Sequence, residues 1–89
     1  MARMEFAYGD EVSYATVSQD DESLFDLGLM YCLGRDVPKD LVLAHKWFNL
    51  AAMRGHDGAR QYRIDVAREM SAADIAEAQK QARAWLQDQ

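Results

Sequence analysis

One cysteine, one proline and two histidines are all that the 89 residues hold of the types that most often cross-link chains, interrupt helices or ligate metals. Cys32 has no partner for an internal disulfide, and its place inside an apolar run suits a buried, inert thiol. No apolar stretch approaches the roughly 18 residues of a membrane span. The opening MARMEFAYGDEVSY puts acids and a glycine where an export signal carries its apolar run, so cytoplasmic residence without a membrane partner is expected. Basic side chains are also few, with 10 Lys and Arg against 15 Asp and Glu and a net charge of −5. Binding to phosphate backbones requires a positive stripe that displaces counterions, which argues against nucleic acid as the partner.

Groups for chemistry are missing as well. The chain has no GxSxG, no glycine-rich phosphate loop and no Cys–His pairing, and its carboxylates are spread as helix caps and surface charges. His45 and His56 lack the second histidine at i+4 or the cysteine pairs of a zinc site. His45 reads as an exposed or half-exposed helix residue. His56 reads as a loop residue near the negative end of the preceding helix. The expectation is therefore no enzyme, no cofactor and no metal.

What is present is apolar material in helical spacing. With 49% hydrophobic residues, the chain can fold as one small domain. Residues 1–26 carry a balance of −6 and residues 27–89 one of +1, so the acid is concentrated at the front. In residues 1–20, Phe6, Tyr8, Val12, Tyr14 and Val17 fit alternation better than helical spacing, with Gly9-Asp10 as a candidate turn. A weak hairpin, a flexible arm and a segment docked on the helices are three readings of this stretch.

From residue 21 onward the signals are helical. The acceptors Ser18 to Glu22 open a helix over SLFDLGLMYCL, which is apolar on nearly every side and reads as the central helix of a stack. Gly34 and Pro38 end it, and Asp40 caps a second helix with Leu41, Ala44, Trp47, Phe48, Ala51 and Ala52 on the buried stripe. His45, Lys46 and Asn49 fall on its other side. A third helix starts near Asp57-Gly58 and places Ala59, Tyr62, Val66, Ala67 and Met70 inward, interrupted by Arg63. Ser71-Ala72-Ala73-Asp74 resembles a capping box, opening a fourth helix with Ile75, Ala78, Ala82, Trp85 and Leu86 inside. A shift of 34 residues superimposes Asp40, Ala44 and Ala51 on Asp74, Ala78 and Trp85, a weak repeat with the period of stacked helical hairpins.

The first hairpin carries a sharper pattern. Leu27, Gly28, Tyr31, Gly34, Val37, Asp40, Ala44, Trp47, Phe48, Ala51, Ala52 and Gly55 stand at the offsets of LGxxYxxGxGVxxDxxKAxxWFxxAAxxG, and the chain here resembles the Sel-one-like repeat. Asp36 replaces the second loop glycine and tolerates positive φ. Leu43 replaces the usual lysine and reads as an exposed contact. The resemblance implies an all-α fold, a right-handed α-α superhelix of about two antiparallel hairpins. The repeat would cover residues 21–56, and a degenerate capping hairpin residues 57–88. Gly28 would admit close packing, filled by Tyr31 and Trp47.

Proteins of this family are mainly adaptors, so the resemblance implies binding of another protein. A structural self-association module, for instance a homodimer, is the alternative. A regulatory subunit with a small-molecule ligand would need a deep polar pocket. Leu29, Met30 and Leu33 with Tyr62 are expected to line the partner surface, methionine being suited to adaptable apolar contact. Arg60 and Arg63, within a group that includes Arg54 and Arg68, would grip a carboxylate-bearing peptide unless they pair with Asp57, Asp65 and Glu69 or instead hold the acidic N-terminal arm.

Overall fold

A computed structural model describes residues 19–89; the readings made for residues 1–18 lie outside it. Four helices follow one another: α1 Asp21–Leu33, α2 Leu41–Met53, α3 Ala59–Ala67 and α4 Ala72–Gln87. The described residues contain no strand, and the architecture is that of a helical-hairpin repeat fold.

Local chemistry sets the helix ends. Three N-caps each accept the backbone N–H three residues on: Asp20 from Ser23 at 2.8 Å, Asp40 from Leu43 at 3.1 Å and Ser71 from Asp74 at 3.1 Å. Each satisfies a donor that has no partner within its own helix. Gly34, at φ 69°, ends α1 in the left-handed region while Arg35 N–H bonds back to the Met30 carbonyl at 2.9 Å. Asp36 also takes positive φ, 68°, so the substitution in the loop is accommodated as its residue type allows.

Packing centres on α2. It lies against all three other helices, α1, α3 and α4. Ala44, Trp47, Phe48, Leu50 and Ala51 are all fully or almost fully buried. Ala44 and Ala51 flank the two rings, Trp47 and Phe48, along this buried stripe. The central helix is thus α2, not α1 as the apolar run over residues 23–33 suggested. The side of α2 expected to face water is covered, and His45 and Lys46 are 3% and 1% exposed. The Lys46 ammonium lies 4.4 Å from the Trp47 ring centroid. Leu43 is half-buried and packs on the core instead of standing out as a contact.

Two aromatic assignments change. The ring that closes on Gly28 is Phe48: a Cβ built there would lie 2.4 Å from its Cδ1. Trp47 turns the other way and meets Trp85 edge-to-face, with centroids 5.7 Å apart and planes at 82°. On α4, Ala78, Ala82 and Trp85 face inward as spaced, but Leu86 is 37% exposed because Trp85 takes the inward direction next to it. The third helix spans only 9 residues. The Ser71 cap restarts the chain and leaves Met70 in the turn before it.

Candidate functional site

α1 presents Phe25, Leu29 and Leu33 at i, i+4 and i+8, which aligns them in one stripe along the helix. Leu29 and Met30 are half-buried and pack on the core, whereas Leu33 is 61% exposed. At the Phe25 end the stripe meets an aromatic group. The Tyr62 ring stands edge-on to Phe25 at 5.1 Å and lies 5.4 Å from Phe48, yet Tyr62 remains 44% exposed.

His56 secures this end. Its ring stacks on Phe25 at 4.1 Å and 17°. Its Nδ1 accepts from the backbone N–H of Gly58 at 3.1 Å and of Ala59 at 3.2 Å, so it caps α3. Nδ1 can accept two N–H groups only without a proton, which puts the ring proton on Nε2, 3.3 Å from Glu22 Oε1. One side chain therefore joins the start of α3 to the start of α1. Sequence reading placed His56 in the loop but missed the cap, because imidazole is not among the usual capping side chains. The only local signal was its position just ahead of Gly58-Ala59.

The arginines separate. Arg60 is exposed, while Arg63 is half-buried and donates from Nη1 to Asn49 Oδ1 at 2.8 Å. Tyr62 and Arg63, adjacent in sequence, thus serve different faces of α3. Arg63 enters a groove bounded by α2, α3 and α4, together with His45 and Asn49. Arg68 pairs with Asp65 at 3.1 Å, one of the pairings the charge pattern suggested. Arg54 Nη2 donates to Gln19 Oε1 at 3.3 Å and lies over the Trp85 ring at 5.8 Å.

Burial, followed by the Arg63 charge, pushes the His45 imidazole below its ordinary 6.5. The folded protein therefore resists binding a proton that the unfolded chain accepts. Above pH 6.5 both states are neutral at this ring and it costs nothing; as pH falls through 6.5, the unfolded state gains protons first and stability is lost. Melting temperatures at pH 7.5 and 5.5 should drop more for the wild type than for His45→Leu. Equal drops would show that His45 does not carry the effect. Burial likewise pushes up the Cys32 thiol, with the Lys39 charge opposing and Glu69 adding, and Cys32 is half-buried, not fully buried as expected. Both shifts favour the neutral form, which for the Cys32 thiol is the unreactive one.

Among the described residues, no group of three or more His, Cys, Asp or Glu is placed to hold a metal ion, and no helix is long and apolar enough to cross a membrane. The model of the Sel1 repeat family matches residues 21–56. The chain carries a Sel1 repeat. Comparisons with curated proteins and with solved structures gave no match.

The Sel1 repeat comprises α1, α2 and the loop between them, and ends on His56. Its motif residues divide by role. Leu27, Tyr31, Ala44, Trp47, Phe48 and Ala51 are buried, and Gly28 is buried against the Phe48 ring. Gly34 and Gly55 supply positive φ at the two helix ends. Val37, Asp40 and Ala52 are half-buried at the edges of the hairpin. These twelve positions all maintain the hairpin, so the side chains left for recognition are those the motif does not specify. Sel1 repeats generally mediate protein–protein interaction, and the family is typically non-enzymatic.

Proposed function

We propose that this chain is an adaptor that holds a partner protein or peptide on the surface of its Sel1 repeat. The observation that carries this reading is the α1 stripe, which ends in a leucine 61% exposed and begins beside a tyrosine 44% exposed. Apolar side chains at helical spacing next to an aromatic edge form a surface suited to a helical or extended apolar segment. Leu29 and Met30 contribute its half-buried floor, Leu33 and Tyr62 its exposed rims, and Arg60 a charge nearby on α3.

Leu33 is the residue to change, because its exposure lets a charge be introduced with little cost to the core. Affinity capture with the full chain should retain a partner that Leu33→Asp loses by about tenfold or more, the scale of removing one buried anchor worth about 1.4 kcal/mol. Far-UV circular dichroism should be the same for both. Equal recovery by wild type and variant would remove the stripe from consideration. Met53, also 61% exposed, supports a second reading in which copies of the chain associate with one another. Light scattering that shows a strict monomer at high concentration excludes it.

A further inference from the structure

The groove between α2, α3 and α4 has a volume of about 530 Å3 and is open to solvent on one side. Arg63 and Arg68 line it from α3 and its end, His45 and Asn49 from successive turns of α2, and Ile64 and Ile75 supply apolar wall. No lining residue among those described is a carboxylate. A chain of net charge −5 thus brings two guanidinium groups to one concave site, Arg68 paired with Asp65 at 3.1 Å on its outer side and Arg63 held by the neutral Asn49.

Two further features define the site. Arg63 gives one N–H to Asn49 Oδ1 at 2.8 Å, and this bond fixes the plane of a guanidinium that has five N–H groups to offer. The second is His45, which lines the groove while 3% exposed, its Nδ1 having no hydrogen-bond partner among the described residues. Buried polar atoms in folded proteins are nearly always satisfied, so His45 leaves an unmatched ring nitrogen in the layer behind the groove.

We propose that this groove binds a glutamate carboxylate of an acidic partner segment, with Arg63 as the planar, two-pronged donor and Arg68 as the second cation. The proposal rests on the protein-binding reading above and names the partner's chemistry at a second surface. Asn49 is a positioning residue, holding the Arg63 plane. The isoleucines suit the methylenes of a glutamate stem, and the open side admits a peptide backbone. Paired N–H groups in a fixed plane match a carboxylate better than a point charge does.

The test is an NMR titration of the full chain with a synthetic octapeptide alternating leucine and glutamate, alongside its glutamine analogue and inorganic phosphate. The glutamate peptide should shift the Arg63 side-chain resonance and the backbone signals of Asn49 and Ile64 saturably, and the glutamine analogue should not. Arg63→Gln should weaken binding about tenfold, the loss expected for one charge-assisted bidentate contact. Arg68→Gln, at an exposed position, should weaken it less. Arg35→Gln, in the α1–α2 loop, should bind like the wild type. Circular dichroism confirms that each variant folds.

Equal binding of the two peptides, shifts located elsewhere, wild-type affinity in both Arg63→Gln and Arg68→Gln, or phosphate saturating the same residues in preference to the peptide would each overturn the proposal. If a captured partner depends on Leu33 while the groove signals stay still, the groove assignment fails and the adaptor reading stands. Groove shifts specific to the glutamate peptide, with no captured protein sensitive to Leu33→Asp, support the groove while removing the stripe.

Discussion

Trp47→Ala is expected to abolish cooperative folding or to lower the melting temperature by tens of degrees. The indole is 0% exposed, sits on the central helix and meets Trp85 edge-to-face at 5.7 Å. Truncating a buried tryptophan costs about 3–5 kcal/mol. A domain of this size holds on the order of 4–13 kcal/mol in total. At about 4–8 °C per kcal/mol, the loss corresponds to a fall of roughly 12–40 °C. Calorimetry and near-ultraviolet circular dichroism would register it. Trp47→Phe should lose much less, and a double-mutant cycle with Trp85→Phe should return a coupling of about 0.5–1.5 kcal/mol for the ring pair. A Trp47→Ala melting temperature within a few degrees of the wild type would contradict the burial described here.

Gly28→Ala should also destabilise, although intrinsic helix propensity points the other way. Alanine is favoured over glycine within a helix by about 1 kcal/mol, so a decision on propensity alone predicts a more stable protein. Against this, the new Cβ would lie 2.4 and 2.5 Å from two ring carbons of Phe48, whose side chain is 0% exposed and has no open space to turn into. α1 and α2 would have to separate, and overpacking of this kind costs about 1–3 kcal/mol, occasionally more. Because Phe48 also packs against Phe25 and Tyr62, the displacement would reach three helices. A net loss of about 2 kcal/mol, or roughly 8–16 °C, is expected. Phe48→Leu in the Gly28→Ala background should lose less than the sum of the two single changes. A rise in melting temperature for Gly28→Ala would show that the close approach does not exist.

The features legible in the sequence were those that depend on neighbours within a few residues. Asp20, Asp40 and Ser71 cap helices because a short oxygen-bearing side chain beside a helix start can reach free N–H groups wherever the helix later packs. Gly34 and Asp36 take positive φ for a similarly local reason. The candidate surfaces were less legible. Leu29, Met30 and Leu33 were recognisable as an apolar group on α1, but Phe25 as the link to Tyr62 was not, since that contact joins residues 37 positions apart. Arg63 was taken as an interruption of an apolar face. Its groove exists only because α2 and α4 supply the other walls.

The twelve-position motif was enough, without coordinates, to specify a paired-helix repeat, since glycines, rings and alanines at those offsets satisfy one hairpin geometry and few others. Which helix lies at the centre, which aromatic ring covers Gly28 and whether His45 faces water were decided only by tertiary packing. A helical periodicity reports that one side of a helix is apolar, not how many neighbours will cover it. α2 packs against α1, α3 and α4 together, and a histidine and a lysine expected in solvent are enclosed.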